Sequence, residues 1–450
     1  MSSGATTLDL IRLFVLLLGA SAVVTIFARR INLPYTVGLV AFGLVAGAVA
    51  QPLRIEITPQ LVLVVLLPAL IFEASYRTDL VRLRSSLGGV ALLAGPGVFV
   101  SAALIAAALR FGAGLPWPEA FVVGAMLSAT DPAAVIATFR RLRSPGRLTT
   151  LVEAESVFND GTGIVVFAIA VDFVSRPVGP LEVTLAFVSV VAFSSALGAI
   201  AGYAASRLLP YVGDHLIEIS LSVVLAYGTY LAADALHMSG VIATAVAGIV
   251  LGNYGRRHGL SRVTEEALTT VWDFIAYLAT AFVFLVVGFA IAVRSLVDVA
   301  PAIAWAIAAT LVGRALIVYA LLGGWRVARE RMGVRGERRR GADREGSVPD
   351  RPPAPADRAG RASPIPVSWL HVVFWSGLRG AVSTGLALSL PLDFPHRAEL
   401  QGITFGVVLF TLVVQATTAE WFVRRWGVPV DRAVEDAELE VASAGLEGVG

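Results

Sequence analysis

Ser128-Ala129-Thr130-Asp131-Pro132-Ala133-Ala134 lies in the middle of an otherwise apolar run spanning 118–138. Pro132 lacks an N–H and its ring clashes with the preceding turn, so a helix through this stretch kinks or unwinds. If the run crosses a bilayer, the freed carbonyls must face protein or water, never lipid. A carboxylate at that depth costs about 2.5–3.5 kcal/mol on insertion scales, so Asp131 calls for a function or a partner. Carbonyls, a hydroxyl and a carboxylate converging at a break suit a bare hard cation. The plainer alternative is a proline kink capped by its own aspartate.

The rest of the chain supports the bilayer. Of 450 residues, 56% are hydrophobic and only 15% are charged, against about one-quarter charged in a soluble domain. Apolar runs follow one another at about 8–28, 34–51, 57–75, 87–110, 118–138, 149–172, 182–208, 216–235, 238–254, 267–293, 299–324, 368–391 and 399–422. Most are long enough to cross about 30 Å of hydrocarbon as helices. The expected fold is therefore an all-α polytopic membrane protein of about 13 transmembrane helices. Cysteine is absent, which removes disulfides, thiolate metal sites and cysteine nucleophiles together. Lysine is absent too, so every basic side chain other than histidine is arginine.

The arginines sort by loop. Connections after odd-numbered spans carry Arg29 and Arg30, then Arg77, Arg82 and Arg84, then Arg140, Arg141, Arg143 and Arg147, and later Arg207, Arg256, Arg257 and Arg262, with Arg424 and Arg425 last. Even-numbered connections carry an occasional one, such as Arg54, Arg176, Arg294 or Arg397. By the positive-inside rule the N-terminus is expected outside and the C-terminus in the cytoplasm. Short basic loops of this kind fit orientation in a membrane better than binding to nucleic acid.

Four units are expected along the chain: helices over 1–325, a disordered arginine-rich cytoplasmic loop over 326–366, two more helices over 367–425, and a short acidic tail over 426–450. The loop is rich in Arg, Pro, Gly and Ala and cannot bury a core. It reads as a solvated linker, although Arg338-Arg339-Arg340 could meet anionic lipid.

Further ionisable residues interrupt the apolar runs. Glu73 ends Leu67-Pro68-Ala69-Leu70-Ile71-Phe72-Glu73 and is either a snorkelling interfacial acid or part of a site. The stretch Glu153-Ala154-Glu155-Ser156-Val157-Phe158-Asn159-Asp160-Gly161 is more specific. Ser156 and Asp160 share one helix face, and Glu155 and Asn159 share the adjacent one. Oxygen ligands of this kind suit alkali cations, and no histidine or cysteine nearby suggests a transition metal. In Ser376-Gly377-Leu378-Arg379-Gly380-Ala381, Arg379 needs a carboxylate partner and the small residues invite a second helix break. Arg314 is another buried cation candidate, whereas Asp273 reads as an interfacial acid at a helix start. The two breaks fall in the fifth span of the first six and the fifth of the last six. That placement points to inverted six-helix repeats with two unwound helices crossing at the site.

At these residues the sequence resembles the monovalent cation:proton antiporter family 1, which includes the prokaryotic NhaP-type sodium/proton antiporters. Ser-Ala-Thr-Asp-Pro, Glu-Ser-x-x-Asn-Asp-Gly and Gly-Leu-Arg-Gly-Ala carry the resemblance in combination, together with Leu67–Glu73 and Gly240–Asn253. It implies the sodium/proton antiporter fold and no cofactor, with Na⁺ (or Li⁺, or K⁺) and H⁺ as transported ions. It also implies Na⁺ coordination by Asp160, Ser156, the Thr130 backbone and Glu73, with Asp131 beside the crossing. Glu155, Asn159 and Arg379 are expected to form a buried structural network in which Glu155 engages Arg379, while Arg314 supports the core. A homodimer in a prokaryotic plasma membrane is implied as well.

A carboxylate that holds either a proton or a cation, but not both, suffices for exchange. With Asn159 where related electrogenic exchangers carry a second aspartate, electroneutral 1:1 exchange is expected. K⁺/H⁺ exchange is the near alternative and a cation channel the distant one, since channels need pore-lining rings or filter loops. An enzyme is disfavoured by the absence of a His-Glu-x-x-His or Gly-x-Ser-x-Gly motif.

Overall fold

The computed structural model describes residues 7–30, 33–49, 61–175, 179–258, 262–291, 293–328, 331 and 365–426. Nearly all of the arginine-rich loop and the acidic tail lie outside the described residues. All regular structure within them is helical.

Chain order is α1 (Thr7–Arg30), α2 (Tyr35–Val49), α3 (Leu67–Arg77), α4 (Leu80–Ala94), α5 (Pro96–Gly112), α6 (Trp117–Met126), α7 (Ala133–Arg141), α8 (Gly146–Ser175) and α9 (Pro180–Leu208), followed by α10 (His215–Ala235), α11 (Gly240–Val250) and α12 (Arg262–Ala290). The last five are α13 (Ala300–Leu316), α14 (Val367–Trp375), α15 (Ala381–Ser389), α16 (Arg397–Phe410) and α17 (Thr417–Arg425). Wider π-helical turns precede α3 at Leu61–Leu66, extend α11 at Leu251–Gly255 and α13 at Ile317–Leu322, and join α16 to α17 at Thr411–Ala416.

Helical segments fall at every expected span, but they are not alike. Seven runs among the described residues are long and apolar enough to cross a bilayer by length and composition: Ser86–Gly112, Gly146–Val174, Leu181–Tyr211, His215–Ala235, Val263–Phe289, Ala300–Ala328 and Arg397–Arg425. Two others are the interrupted helices, α6/α7 and α14/α15. The expected span over 87–110 is bent at Gly95-Pro96, where α4 stops and α5 starts, because Pro96 cannot donate into the preceding turn. Asp79 starts α4 by accepting from the Val81 and Arg82 amides at 2.7 and 3.3 Å.

The helices associate in two groups. In one, α5 packs on α6 and α13, α4 and α6 pack on α8, and α16 lies against α13 and α15. In the other, α2 packs on α12, α9 and α10 on α11, and α1 on α2. Helix α3 lies against α11 and α12 and also touches α8, so it borders both groups.

Lipid offers apolar side chains no reason to prefer each other, so close approach through small residues holds such helices together. At the α2/α12 crossing, a Cβ on Gly288 would sit 2.8 Å from the Gly43 Cα and collide with the Val40 carbonyl. Gly179, by contrast, has open space around it. Gly288→Val is expected to cost about 1–3 kcal/mol through overpacking, lowering the thermal unfolding midpoint of the detergent-solubilised protein. Gly179→Ala should leave it unchanged, and equal midpoints for all three proteins would contradict the packing argument.

Candidate functional site

The two breaks meet. Between α6 and α7 the chain runs without helix over 127–132, and between α14 and α15 over 376–380. The Asp131 N–H donates to the Leu378 carbonyl at 2.9 Å, tying one break to the other. The Asp131 carboxylate then serves both downstream half-helices. Its Oδ1 accepts from the Ala133 amide at 3.1 Å and its Oδ2 from the Ala381 amide at 3.3 Å. Orphan N–H groups and a partial positive charge gather at each helix N-terminus, and one carboxylate satisfies two such ends. Gly380 makes this approach possible, since a Cβ there would collide with that carboxylate.

Helix α8 presents the rest of the cluster. Ser156 Oγ donates to the Thr130 carbonyl at 2.6 Å, so the hydroxyl and an unwound carbonyl lie side by side. Asn159 Nδ2 reaches both Thr130 Oγ1 and Glu155 Oε1 at 3.3 Å. Asp160 is 8% exposed, and its buried Oδ1 has no hydrogen-bond partner. Thr130, Asp131, Ser156 and Asp160 all line one cavity of about 550 Å³.

Glu155 does not pair with Arg379 as expected. Its two oxygens accept from Arg314 Nη1 at 2.7 Å and Nη2 at 3.0 Å, and Nη2 also donates to the Val373 carbonyl at 2.9 Å. A planar guanidinium matches a carboxylate in this two-pronged way, and α13 carries it in from the side. Arg379 is fixed at its backbone, where its N–H donates to Thr411 Oγ1 at 3.0 Å and the same hydroxyl donates to its carbonyl at 3.3 Å. Its guanidinium folds back onto the Gly377 carbonyl at 3.3 Å. Arg379 thus brings a buried positive charge to the carbonyls of the break.

Glu73 lines the same cavity, but its Oε1 lies 2.5 Å from Arg77 Nε. Arg77 also pairs with Asp273 of α12. Asp273 therefore corrects a second expectation: α12 begins at Arg262, well before it, and the acid sits within the helix facing the cavity. Arg140 and Glu153, which line the same cavity, pair at 3.7 Å. Several lining residues carry no signal in the sequence. Tyr35, Tyr277 and Thr280 read as ordinary span residues, yet they wall the cavity, with the two tyrosine rings 6.2 Å apart.

Breaking a buried ion pair by removing one partner costs about 3–5 kcal/mol, whereas replacing both by apolar groups is near neutral. Glu155→Gln and Arg314→Gln are therefore each expected to destabilise the protein strongly in thermal unfolding. A Glu155→Met/Arg314→Met double variant should recover most of the loss, and additive losses in the double would refute the pairing.

Known proteins resemble the chain over most of its length. The family model described as "Sodium/hydrogen exchanger, transmembrane" matches residues 16–425. The Na⁺/H⁺ antiporter ApNhaP of Aphanothece halophytica is 35% identical over 433 residues, covering 94% of this chain and 75% of that protein. The Na⁺/H⁺ antiporter NhaP of Pseudomonas aeruginosa is 29% identical over 95% of this chain and 99% of its own length. The solved structure of the sodium proton antiporter MjNhaP1 from Methanocaldococcus jannaschii has the same fold, with a TM-score of 0.71 at 19% identity over 92% of this chain and 98% of that one. With its two crossed helix breaks and this match over almost its whole length, the chain belongs to the transmembrane sodium/hydrogen exchanger family.

Proposed function

We propose that this protein exchanges Na⁺, or Li⁺, for H⁺ across a prokaryotic plasma membrane, with both ions competing for the Asp160 carboxylate. One observation carries this reading. Of the four acids Glu73, Asp131, Glu155 and Asp160, three are engaged by arginine or by helix N-termini. Asp160 alone among them has a buried oxygen with no protein partner, at a cavity wall beside the Ser156 hydroxyl and the Thr130 carbonyl. An ionised carboxylate left in that position needs a cation or a proton.

In this reading Asp160, Ser156 and the Thr130 carbonyl contribute oxygens to the ion, and Glu73 joins them when it is released from Arg77. Asp131 acts through the crossing, as a cap on α7 and α15. Glu155, Arg314 and Asn159 hold the α8 face in place.

Exchange follows from the cost of moving a bare charge. Taking an uncompensated ion out of water costs several kcal/mol even after relaxation. The empty, ionised site therefore crosses the apolar barrier slowly, while the site neutralised by Na⁺ or H⁺ crosses readily, and two gradients are coupled without a cofactor. Asn159 has no proton to exchange, and its amide is committed to Thr130 and Glu155. One carboxylate per site then gives one proton per cation.

The proposed setting has the N-terminus outside and the C-terminus in the cytoplasm, with segment 326–366 as a cytoplasmic linker and the cavity open toward the cytoplasmic arginines Arg77 and Arg140. A homodimer is part of the same proposal. The run Leu181–Tyr211, which is α9 and the turn after it, is apolar and little buried within the chain, as a segment facing lipid or a second copy would be.

In proteoliposomes, Asp160→Asn should abolish cation-dependent proton movement with a normal unfolding midpoint; retained exchange would sink the assignment. Running the wild type with Na⁺, Li⁺ and K⁺ in turn tests the ion, and a response confined to K⁺ would replace the sodium reading. Stoichiometry has its own readout: a membrane potential clamped with valinomycin should leave the exchange rate unchanged, and a clear voltage dependence would rule out 1:1 exchange.

A further inference from the structure

We propose that Arg77 is a competing cation built into the transport site, holding Glu73 while the site is empty and moving onto Asp273 when a sodium ion arrives. The pair Arg77 and Asp273 would then set the apparent affinity for Na⁺. This rests on the reading above, in which Glu73 and Asp160 face the same transported ion.

The geometry is specific. Arg77 stands one turn after Glu73 on α3, and its Nε lies 2.5 Å from Glu73 Oε1. A second nitrogen of the same guanidinium, Nη2, contacts Asp273 Oδ1 on α12. One cation is thus shared by two carboxylates on two helices, and all three side chains line the cavity that Asp160 also lines. The partners differ in their surroundings: the Glu73 side chain is 16% exposed and that of Asp273 is 48% exposed. Near the end of a helix in a membrane, an arginine ordinarily extends its head away toward water. This one is held against the cavity wall instead.

A guanidinium cannot lose its proton under any ordinary condition, so where it touches Glu73 it occupies the carboxylate as a sodium ion would. Sodium can therefore gain Glu73 only by displacing Arg77. Asp273 makes that displacement cheap, because it offers the guanidinium a wetter carboxylate without leaving it unpaired. The other ion pair lining the cavity, Arg140 with Glu153, is matched within itself, and Arg77 is the cation in contact with Glu73.

An ordinary role for Arg77, as a link that holds α3 against α12, makes a different prediction. Losing either end of a link weakens the same contact, so both variants should shift transport in the same direction. Competition predicts opposite directions. In proteoliposomes at fixed pH, Arg77→Gln should lower the apparent KM for Na⁺ by about three- to fivefold, the worth of a partly exposed ion pair. The maximal rate should fall as well, since release of the ion loses its displacing group. Asp273→Asn should raise KM by a similar factor, because Arg77 then rests on Glu73 alone. Arg77→Lys, which keeps the charge but loses the two-pronged reach, should lie between Arg77→Gln and the wild type. In a Glu73→Gln background, Arg77→Gln should no longer lower KM.

Unchanged KM values, or shifts in one direction for both variants, overturn the proposal. If Arg77→Gln does not yield folded protein, Asp273→Asn still decides, and an unchanged or lowered KM counts against competition. The underlying reading fails separately, through exchange that survives Asp160→Asn; an inactive Asp160→Asn beside unshifted KM values for the Arg77 and Asp273 variants would leave that reading standing and remove this one.

Discussion

Backbone polarity is the constraint on which the molecule is built. Two helices are interrupted in an apolar interior, where each unsatisfied N–H or C=O costs several kcal/mol. The solution is mutual. The Asp131 amide donates to Leu378 across the crossing, and the Asp131 carboxylate accepts from the first amides of α7 and α15. Ser156 and Thr411 close further bonds to the backbone of the two breaks. Everything useful about the site follows from this arrangement, because carbonyls that a continuous helix would consume are left facing a cavity.

Among Glu73, Asp131, Glu155 and Asp160, charge follows the same principle of saturation with one exception. Glu155 is matched by a two-pronged guanidinium, Asp131 by helix N-termini, and Glu73 by Arg77. A fully matched interior would be inert. The Oδ1 atom of Asp160 interrupts the matching at the place where a hydroxyl, a carbonyl and open volume coincide.

Much of this is legible in the sequence, and the reasons are local. Pro132 forbids a continuous helix by its own covalent structure, and the glycines around Arg379 invite a break, so both interruptions can be read directly. The four-residue spacings Ser156/Asp160 and Glu155/Asn159 place side chains on adjacent faces of any helix, and the Asn159–Glu155 hydrogen bond is present. What escapes such reading depends on separations that no local rule spans. Glu155 and Arg314 are 159 residues apart, and with two buried arginines available the sequence offers no basis for choosing between them. The choice falls to Arg314, which brings two guanidinium nitrogens to the two carboxylate oxygens. Asp273 misleads for a related reason: α12 begins at Arg262, with polar turns before its apolar stretch, so the acid looks like a helix start when it is well inside one.

The double cap at Asp131 has a mechanical consequence. A carboxylate bonded to the first amides of two half-helices is a rivet, and sliding α7 past α15 by about an ångström would shear both bonds. The crossed segments therefore travel as one stiff piece. In the proposed exchange, a displacement that opens the cavity first to one side and then to the other would have to be taken up elsewhere, along the seam that α3 borders.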